Sequence, residues 1–475
     1  VSEWIIVHVR RGGIVTNKVI DIKAFIDGNR MAPYQWLTLS LCFMVALLDG
    51  IDAAAMGFLA PSLMKEWDIS RVAFGPVLSA ALFGFAVGAL AVGPLADRVG
   101  RRKILLISVL TFGAFNVSCA FAETSTQLFV LRLLTGIGLG AAMPTAATLL
   151  SEYVPTRIRA FLVTVMFAGF ALGSGLSGFL ASFLVPNYGW RGVLLVSGAI
   201  PVLITPLLFW LLPESARLLA VQGCPSAQIA KVLNRVCGSK FSADMTFVNL
   251  EPALAKVKIP LQLLFQKGYG LGSTMLWVSC FMGLLIIYLI TGWLPTLITD
   301  AGYSVQEAAS IAAMFQVGST VGALTVGLLM DRFDSHRVVS LAYVLGGVSI
   351  FLLGTIIMKS AWLTVQVGIA GFFIGGGQTG LNALAPAFYP TQSRATGVSW
   401  MNGIGRGGAI AGSLIGGLLL SLGWHFGAVF AALALPAAVA AVAVLMNRRA
   451  AHSIMQETDA EAAKAVTQTS LVTTR

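Results

Sequence analysis

Twelve apolar stretches, each about 20–25 residues long, constrain this chain more than any other feature. They run over approximately 37–61, 73–96, 103–122, 127–150, 160–184, 190–212, 270–295, 308–330, 337–358, 361–388, 396–420 and 424–446. Each is long enough to cross the ~30 Å hydrocarbon core as a helix. Charged residues make up 11% of the chain and hydrophobic residues 57%, whereas soluble domains carry roughly 25% charge. A soluble chain of 475 residues could not cover its surface with so few charges. An ordinary cytosolic enzyme, a disordered protein and a disulfide scaffold are thereby excluded. The first stretch is too long for a cleaved signal, and no small-residue cleavage site follows it. The pattern predicts an all-α membrane protein with twelve transmembrane helices.

The formal net charge of +11 would suit nucleic acid, but its distribution points elsewhere. With both termini placed in the cytoplasm, 25 of the 31 Lys and Arg residues fall in inside segments. Four (Lys65, Arg71, Arg191, Lys359) fall outside, and Arg132 and Arg406 lie within spans. This is the positive-inside bias of an inserted membrane protein, so no nucleic-acid partner is expected. The five cysteines show no C-x-x-C spacing, so inert thiols are expected and no metal site or cofactor is read.

The long polar connector 213–269 separates six spans from six. The expected organisation is a cytoplasmic segment 1–35, a six-helix bundle 36–212, the connector, a second bundle 270–446 and a cytoplasmic tail 447–475. Short amphipathic pieces are expected in the connector, and the first ~30 residues read as poorly structured. Val1 stands where a Met is usual, so residues before about Thr16 are read as lying outside the natural product.

The two halves repeat each other. Gly93-Pro-Leu-Ala-Asp97-Arg98-Val-Gly100-Arg101-Arg102-Lys103 corresponds to Gly327-Leu-Leu-Met-Asp331-Arg332-Phe-Asp334-Ser-His336-Arg337, with Asp97 and Asp331 234 residues apart. Pro155-Thr156-Arg-Ile-Arg159-Ala160 corresponds to Pro390-Thr391-Gln-Ser-Arg394-Ala395 at an offset of 235. Two six-helix bundles in parallel repeat imply a cavity near mid-membrane and alternating access by rocking.

The first of these loops resembles the loop 2–3 signature of the major facilitator superfamily. Further segments narrow the resemblance: Leu48-Asp49-Gly50-Ile-Asp52, Leu131-Arg132-Leu-Leu-Thr-Gly136-Ile-Gly138-Leu-Gly140, Thr148-Leu-Leu-Ser-Glu152-Tyr153, Tyr389-Pro-Thr-Gln-Ser-Arg394-Ala-Thr-Gly-Val-Ser-Trp400 and Gly403-Ile-Gly-Arg406. Together they are similar to the aromatic acid:proton symporter family, from about Tyr34 to the end of span 12. The resemblance implies the major facilitator fold and uptake of a small aromatic carboxylate with protons, 4-hydroxybenzoate or protocatechuate foremost. It implies a bacterial inner membrane and a single chain as the working unit. Another organic anion, such as benzoate, vanillate, muconate, a dicarboxylate or a sugar acid, is the alternative cargo. A membrane-embedded enzyme would need a clustered nucleophile or metal site, and the four histidines are too scattered to make one.

Several ionisable residues sit where they are expensive. Asp49 and Asp52 lie mid-way along span 1, where a carboxylate costs about 2.5–3.5 kcal/mol on insertion scales. Their i, i+3 spacing places both on one helix face, and two acids so close in a low dielectric titrate as a unit. Proton coupling is the functional reading, and a carboxylate pair locked to a basic partner is the alternative. Arg406, mid-way along span 11 among glycines, has the planar fork that matches a carboxylate. It is read as capturing the substrate anion, or as pairing with Asp49 or Asp52, or as exchanging between the two. Arg132 is read as a second anion contact near the outer end of span 4, or as a snorkelling interfacial arginine. Gln378 and Asn382 in span 10 share a face at i, i+4 and are candidates for hydrogen bonds to a ring hydroxyl; an interhelical amide bond is the alternative.

The remaining candidates are read as gates. Asp97, Arg101, Asp331 and Arg337 lie in the repeated loops, and Arg394 at the exit of span 10. Glu152, with Arg157 and Arg159 following, is expected in an ion-pair network that closes the inner side. His336 replaces a plainer basic residue in the second loop and titrates near neutrality; a solvated histidine is the alternative. The glycine clusters at 136–140 and 375–380 lack a preceding strand and are read as close helix packing.

Overall fold

The computed structural model describes residues 5–6, 19–239, 241–242, 245–248, 269–355, 360–389 and 394–473. Helices dominate. They are α1 (Ile22–Gly28), α2 (Pro33–Trp67), α3 (Arg71–Val99), α4 (Arg101–Cys119), α5 (Ser125–Tyr153), α6 (Thr156–Leu211), α7 (Ala216–Val221) and α8 (Ser226–Cys237). After the connector come α9 (Tyr269–Asp300), α10 (Val305–Arg332), α11 (Ser335–Thr355), α12 (Ser360–Phe388), α13 (Arg394–Ser421) and α14 (Phe426–Thr473).

Among the described residues, ten helices are long and apolar enough to cross a membrane. One of them, α6, is two spans joined at Gly189, whose φ of 68° breaks the helical run. The tenth stretch of the sequence reading is filled by the 29 residues of α12. Each of the twelve apolar stretches therefore coincides with a helical segment among the described residues. Local chemistry sets the ends. The α2 helix opens with Pro33, which loses nothing at a position whose N–H is orphaned anyway. Thr124 accepts from the Gln127 N–H at the start of α5, and Ser304 with Glu307 forms a reciprocal capping box on α10.

The chain divides into two compact units. Unit 1 is Val1–Asp68 with Ala80–Ala253, and unit 2 is Ile69–Ser79 with Leu254–Arg475. Glycines let helix backbones touch in each, and they do so at repeated positions. In unit 1 a Cβ on Gly84 would run into the Leu133 carbonyl, on Gly88 into that of Ile137, on Gly136 into that of Ala81, and on Gly173 into that of Leu47. In unit 2 the same holds for Gly318 against Gly368, Gly322 against Phe372, Gly371 against Phe315, and Gly408 against Phe281. Each pair of the second set lies 234 or 235 residues after its counterpart. The repeat in the sequence is a repeat of backbone contacts.

The start of the chain differs from expectation. Residues 19–28 are not loose: β2 (Val19–Asp21) pairs in parallel with β3 (Thr246–Val248) of the connector, with Ile20 opposite Phe247, and antiparallel with β1 (Ile5–Ile6). Ile20, Ile22 and Ile26 are buried with Ile229, Leu233, Val236 and Phe247 in one apolar cluster. The physical reason is shared burial: α8 is amphipathic and needs a cover for its apolar side.

Candidate functional site

Unit 1 holds a buried charge pair. Asp52, on α2, and Arg132, on α5, are each 1% exposed. Nη1 of Arg132 donates to both carboxylate oxygens of Asp52, at 2.9 and 3.1 Å, and Nη2 to the Asp52 backbone carbonyl at 3.4 Å. Nη1 also reaches Oδ1 of Asn116 on α4 at 3.4 Å, and the Asn116 amide donates to Ser197 of α6 at 2.9 Å. One charge pair and two neutral groups thus tie four helices around a buried centre. Asp49, one helical turn before Asp52, is also 1% exposed.

This geometry bears on two expectations. Arg132 does not snorkel; it is among the largest fully buried side chains. The basic partner of Asp52 is Arg132 of its own unit, the locked pair that the sequence reading held as the alternative. The signal was available, because Asn116 and Ser197 are polar residues inside apolar spans, and a buried arginine needs an anion on a nearby helix.

Unit 2 holds Arg406, half-buried on α13, whose Nη1 donates to the Tyr288 hydroxyl of α9 at 3.1 Å. Its neighbours fix it. Gly405 lies against the Cys280 sulfur and Gly408 against the Phe281 backbone, so α13 and α9 run in close contact beside the guanidinium. Sequence reasoning found the arginine and its glycines but missed Tyr288. Gln378 is 6% exposed. Its Oε1 accepts from Tyr343 at 2.9 Å and its Nε2 donates to the Cys280 Sγ at 3.5 Å. The amide of Gln378 is therefore held between three helices, while Asn382, four residues on, is exposed. Among the described residues no cluster of His, Cys, Asp or Glu is arranged to hold a metal ion.

The expected gate residues separate into two sets. Glu152, at the end of α5, pairs with Arg101 at the start of α4, whereas Arg157 donates to the Asn29 carbonyl and Arg159 to the Thr156 hydroxyl. Glu214, which sequence reasoning passed over, takes the N-terminus of α4: its Oε1 accepts from the Arg102 N–H at 3.1 Å. Gly100, at φ 115°, lets the carboxylate come that close. In unit 2, Asp331 and Arg337 are exposed. The work falls to Asp334, which accepts from the Arg337 N–H at 2.9 Å and from Arg448 at 3.1 Å. Partial burial alone would raise the Asp334 carboxyl, but these donors outweigh it and hold it below the usual range. His336 is half-buried and shares a hydrogen bond of 3.0 Å with Asn447, which donates in turn to the Gly272 carbonyl. The side chains of Asp97 and Arg394 lie outside the described residues.

Comparison with known proteins agrees with this architecture. The family model for the major facilitator superfamily matches residues 41–313 and 276–474. A gallate transporter of Pseudomonas putida is 54% identical over 431 residues, 91% of this chain and 96% of the relative. A 4-hydroxybenzoate transporter of Pseudomonas aeruginosa is 46% identical over 91% of this chain and 97% of its own length. Among solved structures, an inward-open xylose transporter from E. coli superposes with a TM-score of 0.65 at 18% identity, covering 86% of this chain and 95% of that one. That likeness concerns the fold alone. The chain belongs to the major facilitator superfamily, and it is a multi-pass membrane transporter.

Proposed function

We propose that this transporter takes up a hydroxylated aromatic carboxylate, of the class of 4-hydroxybenzoate, protocatechuate and gallate, together with protons. The observation that carries the coupling is the buried Asp52–Arg132 pair with Asp49 one turn away. The substrate class rests on the relatives named above. An anion entering a negative interior works against about 2.3 kcal/mol per 100 mV. One accompanying proton cancels that charge, and a second makes entry electrically favourable. Asp49 and Asp52 are the proton carriers in this reading. When Asp52 is protonated its ion pair with Arg132 is reduced to a hydrogen bond from the guanidinium to a neutral acid, and the guanidinium becomes available to another partner. Arg406, presented by Tyr288 and by close packing on α9, takes the substrate carboxylate.

The Arg101–Glu152 pair and the Asp334–Arg448 pair are the gates of units 1 and 2, and each breaks in one conformation of an alternating-access cycle. In this reading both termini lie in the cytoplasm of a bacterial inner membrane, which the excess of Lys and Arg in the inside segments supports, and one chain is the transporting unit. The test is uptake of labelled 4-hydroxybenzoate by cells expressing the chain, with and without a protonophore, and with gallate, protocatechuate, vanillate and benzoate as competitors. Uptake that survives collapse of the proton gradient overturns coupling. Competition by xylose or a dicarboxylate, but by none of the aromatic acids, overturns the substrate class.

A further inference from the structure

The last turn of α6 carries an arrangement that neither transport nor gating uses. Its final carbonyls lack helical partners, as at every helix end, and three side chains from elsewhere in unit 1 converge on them. Arg102 donates to the Phe209 carbonyl, Arg235 of α8 to the Trp210 carbonyl at 2.7 Å, and the Tyr34 hydroxyl to the Leu211 carbonyl. The Arg102 guanidinium stands 5.0 Å over the Phe209 ring, and that of Arg235 stands 5.0 Å over the ring of Tyr34. Phe209 and Trp210 are 55% and 71% exposed, and Trp36, two residues from Tyr34, is 50% exposed. Arg102 keeps a buried Nε without a hydrogen-bond partner. The Glu214 carboxylate is engaged by the N–H groups of Arg102 and Ser215.

Exposed Trp and Phe at the end of a span are the side chains that settle at headgroup level. Two guanidiniums beside them present more N–H donors than the carbonyls accept. We propose that this end of α6, with Arg102 and Arg235, is a binding site for the phosphate of an anionic phospholipid headgroup, its acyl chains lying along Phe209 and Trp210. The lipid tethers the connector helix α8 to the end of α6. A free phosphate ion would use the two arginines but would gain nothing from the exposed aromatic rings.

Native mass spectrometry of the full-length protein, released from detergent with equal amounts of phosphatidylglycerol and phosphatidylcholine, tests this. Phosphatidylglycerol is expected to be retained in preference. Arg235→Gln is expected to lower its retention about five-fold, the factor that corresponds to about 1 kcal/mol for one arginine near a charged headgroup. Arg449→Gln, an exposed arginine of unit 2, leaves retention unchanged. Arg102→Gln should match Arg235→Gln. Because both arginines also cap α6, a second readout keeps the proposal testable: quenching by brominated phosphatidylglycerol should exceed that by brominated phosphatidylcholine in the fluorescence lost on Trp210→Phe. Equal retention of the two lipids, equal effects of Arg235→Gln and Arg449→Gln, or displacement of the lipid by inorganic phosphate at matched concentration overturns the assignment.

Discussion

The Asp52–Arg132 pair makes a quantitative test possible, because both groups are 1% exposed and neither can turn to water when the other is removed. Replacing Arg132 by Met keeps the apolar bulk of the stem and strands the Asp52 carboxylate. Breaking a buried pair from one side costs about 3–5 kcal/mol. Asp52→Asn strands the guanidinium less completely, since the amide oxygen still accepts one bond and Asn116 stands at 3.4 Å. Combining the two changes removes both charges and leaves unpaired amide groups, at about 1–3 kcal/mol. The double variant is therefore expected to be more stable than Arg132→Met alone by about 2 kcal/mol, and the coupling energy, which adds the cost of Asp52→Asn to that difference, lies well above the ~0.5 kcal/mol within which independent sites add. Thermal unfolding of the purified protein in one detergent ranks the four chains: the native pair highest, then Asp52→Asn, then the double variant, with Arg132→Met lowest. Concentrative uptake is expected to vanish in all three variants, which separates the role in coupling from the role in stability. A double variant less stable than either single one, by the sum of the two effects, would refute a direct charge pair at the centre of unit 1.

Other residues give further tests. Arg406→Lys keeps the charge but loses the planar fork that binds Tyr288 and a carboxylate together, so uptake should be abolished; a fully active Arg406→Lys removes the bidentate reading. Tyr288→Phe should raise the KM for uptake several-fold while the protein's unfolding temperature stays put, since it removes one hydroxyl at a half-buried site. Asp27 accepts from the Thr156 N–H and hydroxyl at 2.6 Å each, standing in for the side-chain cap that Pro155 cannot provide. Burial raises its carboxyl, the two Thr156 bonds with Arg159 and Arg217 outweigh that by lowering it, and the net shift is downward. A depressed folded value places this stabilisation above the ordinary carboxylate range of about 3.9, and it is lost only as pH falls below that range. Asp27→Asn should therefore lower stability by about 1 kcal/mol equally at pH 6 and pH 8, and unfolding measured at the two pH values checks this. Gly408→Ala should push α13 off the Phe281 backbone and cost uptake more than Gly403→Ala, whose Cβ meets nothing.

The framework of this protein was legible because membrane insertion leaves few choices. Every backbone polar group within the bilayer must be paired within its own segment, so an apolar stretch of sufficient length is a helix, and Gly189 alone shows where two of them abut without a polar loop. Asp49, Asp52, Arg132 and Arg406 stood out for the same reason: charge in an apolar run has a cost that sequence alone exposes. Pairing was not legible. Spacing along a helix says which residues share a face and nothing about which helix faces it, so the sequence leaves open which basic residue, if any, meets Asp49 or Asp52, with Arg406 as one alternative, whereas Arg132 on α5 stands opposite Asp52. Gln378 and Asn382 show the same gap. They share a face by number, yet one is locked between Tyr343 and Cys280 and the other is exposed. The segment 19–28 was misread because its few isoleucines look too sparse for a core of their own; their burial depends on Phe247 and α8, more than two hundred residues away.

The repeat itself separates scaffold from chemistry. The glycine contacts recur between the halves at offsets of 234 and 235, contact for contact. Carried by the same offsets, the charged residues do not recur. Asp52 corresponds to Ile286 and Asp49 to Gly283, Arg132 corresponds to Val367, and Arg406 falls opposite Ala171. Ile286 and Val367 are fully buried, so unit 2 fills with apolar side chains the place where unit 1 keeps an ion pair. A folding requirement would act on both halves alike, since both bury the same kind of helix contact. A buried pair is also poor value as a stabiliser beside well-packed apolar side chains, and unit 2 folds with that replacement already made. The asymmetry therefore supports the proposed role of Asp52 and Arg132 in transport over a role in folding, and it makes Asp52→Ile with Arg132→Val, the unit 2 residues moved into unit 1, a chain that should fold and should not concentrate its substrate.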